Sequence, residues 1–235
     1  RGGCRRGASS GRRGWRGRAE GPGRRVAGTG LPLPADRWAP VALAAAERFR
    51  AVAVGPGLGL GGTTTREVRE LLGAVDRPAV VDSDAITALG ADAASVLADR
   101  GAPTVLTPHD AEFDRVGGDA DDPDRIEATR GLAGAIGAVV LRKGPITIVA
   151  EPGGQVLLST TGDARLATAG TGDVLTGVIG ALLAQGVPPF EAAAAGAFLH
   201  GRAGALAWRR GLVAGDVADH LPAALAELPG DPHAP

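Results

Sequence analysis

The sequence of 235 residues contains no tyrosine and no methionine, and its single cysteine is Cys4. One thiol cannot close an internal disulfide, so the composition excludes the class of small, disulfide-stapled secreted proteins. Aromatic residues make up only 3% of the chain, whereas apolar residues make up 44% and charged residues 22%. These proportions are typical of a globular protein with a substantial core, and the length suits one large domain or two small ones.

Long apolar runs are also missing. The longest uncharged stretch, residues 174–190, contains Thr176, Gln185, three glycines and two prolines. It falls short of the ~20 apolar residues that a membrane-spanning helix needs, and no apolar signal segment opens the chain. The sequence therefore predicts a cytoplasmic protein without a membrane partner.

The net charge of −1 conceals a segregation of charge along the chain. Residues 1–25 contain nine arginines, eight glycines and one acidic residue, which leaves 16 basic and 25 acidic residues in the rest. Because this start has no apolar periodicity, we predict that residues 1–30 are disordered or foreign to the domain formed by residues 31–230. An Arg/Gly segment can also serve as a nucleic-acid-binding arm, but we expect no nucleic-acid partner, since the segment resembles nothing that follows.

Short β-branched runs alternate with helical stretches from residue 51 onward. Buried strands are predicted at residues 51–54, 79–81, 104–106 and 138–141, and helices at residues 63–75, 85–99 and 123–136. This alternation predicts an α/β fold, with a mostly parallel sheet and helices on both faces.

The second half of the chain changes pattern. Residues 147–150 and 155–158, joined by Pro152-Gly153-Gly154, predict a hairpin that adds an antiparallel edge to the sheet. Two long helices are predicted to follow, at residues 172–185 and residues 190–208.

Residues suited to chemistry follow each of the first four predicted strands. The strands run in turn into Gly55-Pro56-Gly57-Leu58-Gly59, Asp82-Ser83-Asp84, Thr107-Pro108-His109 and Lys143-Gly144. Ligands of open parallel sheets bind outside the carboxyl ends of the strands, so the sequence predicts a site at this edge. Lys143 is the only lysine among 25 basic residues, and its compact ammonium suits a phosphate group.

The strongest local signal is Ala169-Gly170-Thr171-Gly172-Asp173, which opens a predicted helix. Glycines allow backbone N–H groups to turn toward an anion, and a helix N-terminus adds about half a positive charge. Asp173 is then either a helix cap or a base for a hydroxyl that attacks a γ-phosphate. No G-x-x-x-x-G-K-[ST] sequence is present, which excludes a P-loop enzyme.

Gly57, Gly59 and Gly62 also spell a dinucleotide-binding fingerprint, with Asp82 twenty residues further on. In that interpretation Asp82 would bind a ribose and the protein would be an NAD-dependent oxidoreductase. The β-branched residues 63–65 at the first helical turn argue against it, and the later motifs would have no role. The histidines show no ligand spacing with one another or with the cysteine, so no metal-ligating residue is assigned.

In this order, the motifs resemble the ADP/ATP-dependent (S)-NAD(P)H-hydrate dehydratases, which are repair enzymes with a ribokinase-like fold. The resemblance covers residues 54–59, 81–85, 106–109 with Glu112, 143–147, 167–177 and 198–201. It implies that the hydrated nicotinamide nucleotide is bound by Gly55, Gly57, Gly59, His109 and Asp173, and that Asp173 is the catalytic base. It implies that ADP or ATP is bound by two stretches, Lys143, Gly144, Pro145, Ile146 and Thr147, and Thr168, Ala169, Gly170, Thr171 and Gly172.

The reaction implied by the resemblance is phosphoryl transfer to the ring hydroxyl, followed by loss of phosphate that restores NADH or NADPH. Mg²⁺ would neutralise the nucleotide's phosphates. The resemblance also implies a homo-oligomer and a functional partner, NAD(P)H-hydrate epimerase. It does not indicate whether ADP or ATP is preferred.

The sequence departs from the family at three places. Ala111 stands where the family usually has glycine, and Asp163 stands where it usually has asparagine. The Arg/Gly segment occupies the place of a strand, a Gly-rich turn and an Ala-rich helix, so we predict that this N-terminal unit is missing or replaced. The alternatives left open are a ribokinase-like kinase of a small alcohol such as a vitamin precursor, a non-catalytic nucleotide sensor and an inactive fragment.

Overall fold

Six short strands form one sheet in the computed structural model of the chain, which describes residues 34 and 36–228. In sequence order, which is also the order across the sheet, they are β1 (Val52–Val54), β2 (Ala79–Val81), β3 (Thr104–Leu106), β4 (Val139–Arg142), β5 (Thr147–Ala150) and β6 (Val156–Ser159). Strands β1 to β4 pair in parallel, whereas β5 and β6 are antiparallel. The mostly parallel sheet with a hairpin edge is confirmed, and each predicted strand lies within one residue of its observed bounds.

Nine α-helices surround this sheet in the described part of the chain. They are α1 (Ala39–Ala46), α2 (Gly62–Ala74), α3 (Asp84–Leu89), α4 (Ala93–Ala98), α5 (Asp110–Arg115), α6 (Arg125–Ile136), α7 (Thr171–Ala184), α8 (Pro189–Leu206) and α9 (Ala214–Ala226). The prediction of one helix over residues 85–99 is wrong, because Gly90 adopts a φ of +54° and a 3-10 turn separates α3 from α4. Helices α1, α5 and α9 were not predicted.

The central strands are buried on both faces. Ala79 and Val81 of β2 pack in one apolar cluster with helices α1 to α6, whereas Val80 packs in a second cluster with α7 and α8. All three residues are fully buried. Coverage of both faces explains why the strands are continuous apolar runs rather than alternating ones, and it confirms the layered α/β arrangement.

Helix α1 is attached to α2 through a buried carboxylate. Glu67 is fully buried and accepts hydrogen bonds from the Ala39 backbone N–H, at 2.8 Å, and from the Arg66 Nε, at 3.0 Å. Burial alone would raise the pKa of Glu67, but the hydrogen bonds from Ala39 and Arg66 outweigh it and lower that pKa. Glu67 therefore has a structural role, separate from the predicted site.

The predicted Arg/Gly segment, residues 1–30, lies outside the described residues. Within the described part, no helix is long and apolar enough to cross a membrane.

The contact between α7 and α8 predicts the effect of a glycine substitution. A β-carbon on Gly196 would lie 2.6 Å from Cγ1 of the fully buried Ile179, so Gly196→Ala should lower the free energy of unfolding by about 1–3 kcal/mol. The exposed Gly134 of α6 has no atom within 4 Å of such a carbon, and Gly134→Ala should be neutral or stabilise by up to about 1 kcal/mol. Urea denaturation measures both changes, and equal effects would contradict the proposed packing constraint.

Candidate active site

The segments that follow β1 to β4 converge at one edge of the sheet. Backbone hydrogen bonds continue the parallel ladder past the strand ends, from the Asp82 N–H to the Val54 carbonyl at 3.0 Å and from the Thr107 N–H to the Val81 carbonyl at 3.1 Å. The Lys143 N–H donates to the Pro108 carbonyl at 2.8 Å. The fold therefore brings together the segments at which the sequence predicts a site.

The glycine turn after β1 rests directly on the turn after β2. A β-carbon on Gly55 would lie only 1.7 Å from the Asp82 carbonyl oxygen, and the φ of Gly55 is +142°, so no other residue fits there. The Gly59 N–H donates to Oδ2 of Asp84 at 2.7 Å. Ser83, in the turn after β2, has a φ of +52°. It is the only non-glycine residue with a positive φ in the described part of the chain. Contact of Gly55, Gly57 and Gly59 with a substrate stays a prediction.

Asp82 is the most heavily bonded side chain at this edge. It is 2% exposed, and its Oδ1 accepts from the Thr107 hydroxyl at 2.8 Å and from the Lys143 ammonium at 2.9 Å. Its Oδ2 accepts from the Thr176 hydroxyl on α7 at 2.9 Å. A carboxylate this enclosed is not available to a ribose, so the dinucleotide interpretation of Asp82 is not supported.

His109 begins helix α5 as its N-cap residue. Its Nδ1 accepts from the Glu112 backbone N–H at 3.2 Å, and the Glu112 carboxylate accepts in return from the His109 N–H at 2.9 Å, which completes a capping box. The imidazole is 52% exposed, with its Nε2 lying 3.3 Å from the Glu112 carboxylate. His109 thus has a structural role that leaves half of the ring open, and its contact with substrate stays a prediction.

The predicted anion cradle lies at the start of α7. Gly170 precedes the helix in the left-handed conformation, with a φ of +88°, and no side chain caps the first turn. The Thr171 hydroxyl instead lies within hydrogen-bond distance of the Leu166 and Thr168 carbonyls, at 2.5 Å and 2.8 Å. The Thr171 N–H donates to the Thr168 carbonyl at 3.2 Å and the Val174 N–H to the Gly170 carbonyl at 3.3 Å. The N–H groups of Gly172 and Asp173, together with the helix dipole, are therefore the donors that could face an anion, as the sequence predicts.

Helix α8 supports this cradle from behind. The buried His200 bonds through Nε2 to the Thr171 carbonyl at 2.9 Å, and burial lowers the pKa of His200. A β-carbon on the neighbouring Gly201 would lie 2.2 Å from the Thr161 hydroxyl. Of residues 198–201, which belong to the family pattern, His200 is thus the one that bonds the cradle, whereas Gly201 packs on Thr161.

Asp173 is exposed in the first turn of α7, beside the cradle. The Lys143 ammonium and the Asp82 carboxylate lie near the preceding residue, since a β-carbon on Gly172 would lie 4.0 Å from Lys143 Nζ and 3.9 Å from Asp82 Oδ2. Partial burial raises the pKa of Asp173, the Asp82 carboxylate raises it further, and the Lys143 ammonium opposes the shift. Such a carboxylate binds a proton more readily than an ordinary aspartate, which suits a general base.

Only part of the predicted 143–147 turn lies at the cradle. Lys143 does, whereas Pro145 and Ile146 line an apolar pocket of about 340 Å³ together with residues 123–126, Ile148 and Leu158. None of the cradle residues lines this pocket. Gly144 packs on Arg125, whose guanidinium would be 2.8 Å from a β-carbon at that position. Nucleotide binding by Gly144, Pro145, Ile146 and Thr147 stays a prediction.

Asp163, which stands where the family usually has asparagine, forms an ion pair with Arg165. The Arg165 guanidinium lies 2.6 Å from its Oδ2, and this hydrogen-bonded pair lowers the pKa of Asp163. An adjacent arginine therefore offsets the charge of Asp163.

Among the described residues, no group of three or more His, Cys, Asp or Glu side chains could hold a metal ion. Mg²⁺ commonly keeps several waters and binds through substrate phosphates with one or two carboxylates. Asp173 and the phosphates of a bound nucleotide are a ligand set of that kind.

Together, the sheet order and the helices on both faces define a ribokinase-like α/β protein, in which the uncapped start of α7 and the adjacent Asp173 form a candidate anion site. The chain belongs to the NAD(P)H-hydrate dehydratase family, whose model matches residues 20–226. It is 49% identical over 162 residues to the bifunctional NAD(P)H-hydrate repair enzyme Nnr of Mycobacterium leprae, covering 69% of this chain and 34% of that protein. It is 42% identical to the ADP-dependent (S)-NAD(P)H-hydrate dehydratase of Neisseria meningitidis, covering 75% and 63%.

Solved structures agree with this assignment. A crystal structure of the ADP/ATP-dependent NAD(P)H-hydrate dehydratase from Bacillus subtilis, co-crystallised with ATP and Mg²⁺ and soaked with CoA, superposes with a TM-score of 0.67 at 33% identity. The match covers 75% of this chain and 66% of that one. A ribokinase-like superfamily protein from Enterococcus faecalis shares the fold, with a TM-score of 0.67 at 24% identity and coverage of 79% and 66%. The chain spans about a third of the length of the bifunctional relatives it matches.

The contact between Gly55 and Asp82 predicts a large effect of a small substitution. Gly55→Ala would place its methyl group 1.7 Å from a backbone oxygen at a φ of +142°, and should cost about 3 kcal/mol or more of unfolding free energy. Gly62→Ala is the control, because no atom lies within 4 Å of a β-carbon there and α2 begins at that residue. Thermal and urea unfolding compare the two, and a Gly55→Ala protein as stable as Gly62→Ala would contradict this geometry.

Proposed function

We propose that this chain dehydrates the S epimer of hydrated NADH or NADPH, restoring NAD(P)H at the expense of ADP or ATP. The observation that carries the proposal is the meeting of three parts at one sheet edge: the anion cradle at Gly170–Gly172, Lys143 and the exposed carboxylate Asp173. Membership of the dehydratase family supports the choice of this reaction among those that such a site allows.

The nucleotide's phosphates would bind at the cradle. The backbone N–H groups of the first turn of α7 and the Lys143 ammonium are the groups there that suit a phosphate. Residues 168–172 form the turn, and residues 144–147 would extend the nucleotide site from Lys143. Magnesium on the nucleotide neutralises charge that develops on the phosphates during transfer. The names of the Neisseria and Bacillus relatives support ADP or ATP as the co-substrate.

The hydrated nicotinamide ring would bind between Asp173 and the glycine turn at residues 55–59. The exposed part of the His109 ring borders the same edge. Asp173 would accept the proton of the ring hydroxyl, and the hydroxyl oxygen would form a bond to the terminal phosphorus of the nucleotide. The bond between that phosphorus and the bridging oxygen of the nucleotide would break at the same time. The ring nitrogen's lone pair then expels phosphate, and loss of the proton on the neighbouring ring carbon restores the double bond.

The proposal includes the setting in which this reaction takes place. The curated Mycobacterium relative is a bifunctional repair enzyme of which this chain matches about a third, which supports a functional partnership with NAD(P)H-hydrate epimerase. We also propose that the protein forms a homo-oligomer, that it is located in the cytoplasm and that residues 31–230 form its dehydratase domain. A ribokinase-like kinase needs the same cradle and base, and it is separated from a dehydratase by whether phosphate stays on the product.

Replacing the proposed base tests the function directly. Asp173→Asn should lower the rate of the absorbance rise of reduced nicotinamide by about 100-fold or more, with hydrated NADH, Mg²⁺ and ADP or ATP as reactants. ADP affinity measured by calorimetry should change by no more than a few-fold, since the backbone cradle is retained. Asp99→Asn, which alters an exposed carboxylate at the end of α4, is the matched control and should leave the rate unchanged.

Two results would contradict this proposal. Folded wild-type protein that gives no absorbance rise with either nucleotide would favour the kinase or the inactive fragment, and a phosphorylated product would identify the kinase. Loss of ADP binding together with the rate in Asp173→Asn would instead make Asp173 a structural residue.

A further inference from the structure

Lys143 lies within a group of acidic side chains rather than free in solvent. Its ammonium is 2.9 Å from Oδ1 of Asp82 and 3.5 Å from the Glu112 carboxylate, and its side chain is only 24% exposed. The start of α7 is the third neighbour, since the ammonium would lie 4.0 Å from a β-carbon on Gly172. The position of the only lysine is therefore set by carboxylates before any ligand binds.

Asp82 is itself fixed from both sides. The Thr107 hydroxyl after β3 bonds the oxygen that also faces Lys143, and the Thr176 hydroxyl bonds the other oxygen. Thr176 lies on α7 three residues after Asp173, so the Asp82 carboxylate joins the helix that carries the proposed base to the lysine that follows β4. Two of these partners are 61 and 94 residues away from Asp82 in sequence.

We propose that Asp82 is a positioning residue, which holds the Lys143 ammonium beside Asp173 and so couples the nucleotide site to the proposed base. This inference rests on the proposed function, because it takes Asp173 as the base and the start of α7 as the nucleotide site. Asp82 itself has no role in the proposed reaction. Asp82 is 2% exposed and its oxygens are occupied, so it acts through Lys143 and Thr176 rather than by touching a substrate.

The closeness of Asp82 and Lys143 to Asp173 has an electrostatic consequence that can be measured. Asp173 is faced by Asp82 from the end of β2 and by Lys143 from the end of β4. Glu112 of α5 lies 3.5 Å from the Lys143 ammonium, and the His109 ring lies 3.3 Å from the Glu112 carboxylate. His200 of α8 bonds the Thr171 carbonyl. Removing the negative charge of Asp82 should lower the pKa of Asp173, whereas removing the positive charge of Lys143 should raise it.

The pH dependence of the reaction tests this with variants of opposite sign. The base must be ionised, so the rate rises with pH through the pKa of Asp173. Asp82→Asn should move this acidic limb to lower pH by about one unit, and Lys143→Met should move it to higher pH by a similar amount. The double variant should return the limb toward the wild-type position, because the two opposing charges are removed together.

Glu67→Gln is the matched control, since it removes the charge of another buried carboxylate outside the site. It should lower stability without moving the acidic limb of the pH profile.

A second variant serves where Asp82→Asn fails to fold. Thr176→Val removes one hydrogen bond to Asp82 and keeps every charge, and it should weaken ADP binding several-fold. Thr129→Val, a buried threonine bonded within α6, is its control and should leave ADP affinity unchanged.

Two measurements without turnover keep the inference separate from the proposed reaction. Calorimetry should show ADP binding weakened about tenfold in Asp82→Asn, and carbon-detected NMR should follow the titration of the Asp173 carboxyl. Protein that binds ADP and shows these shifts but does not dehydrate the hydrate would overturn the proposed function and support the role of Asp82. An unmoved Asp173 titration and unchanged ADP affinity in Asp82→Asn, or equal changes in Glu67→Gln, would overturn the role of Asp82.

Discussion

The candidate site depends on the ion pair between Asp82 and Lys143. A carboxylate that is 2% exposed loses most of its hydration, and removing a charge from water is unfavourable unless the group is paired and hydrogen-bonded. Two hydroxyls and one ammonium supply that compensation. Their arrangement fixes the ends of β2, β3 and β4 and the first turns of α7 relative to one another. The contact of Gly55 with the Asp82 backbone adds the end of β1 to the same arrangement.

The burial of the sheet on both faces explains why chemistry is confined to this edge. Each residue of β2 and β3 is buried by helices on one side or the other, so a charged side chain within these strands would lose its hydration without a partner. The first positions where charged groups are tolerated are those just past the strand ends, where loops and helix N-termini provide donors. Arg142 at the end of β4 shows the limit of this rule, because it is fully buried yet bonded to Asp110 at 2.8 Å and stacked on the Phe113 ring at 4.2 Å.

The sequence predicted those parts of the structure that depend on neighbouring residues in the chain. Apolar runs between turn residues located the strands, and the glycines around Thr171 located the cradle, because both signals are local. The bond between Asp82 and Thr176 was missed because 94 residues separate the two, and no spacing rule relates them. The capping box of His109 was not predicted because it lacks the usual Ser, Thr, Asp or Asn at the N-cap. A polar Thr176 on the buried stripe of an apolar helix was the available hint of a partner in the interior.

The balance of charge at the site constrains how a nucleotide could bind there. Three carboxylates, those of Asp82, Glu112 and Asp173, surround one ammonium group, that of Lys143. A bare di- or triphosphate entering this group would be repelled by more charges than attract it. Binding of a nucleotide here would therefore need, besides the Lys143 ammonium that Asp82 holds in place, the backbone amides and dipole of α7 and a cation that accompanies the phosphates. Burial raises the pKa of Asp173 and the Asp82 carboxylate raises it further, so the same negative charge that would disfavour a bare nucleotide also makes the Asp173 carboxylate more basic.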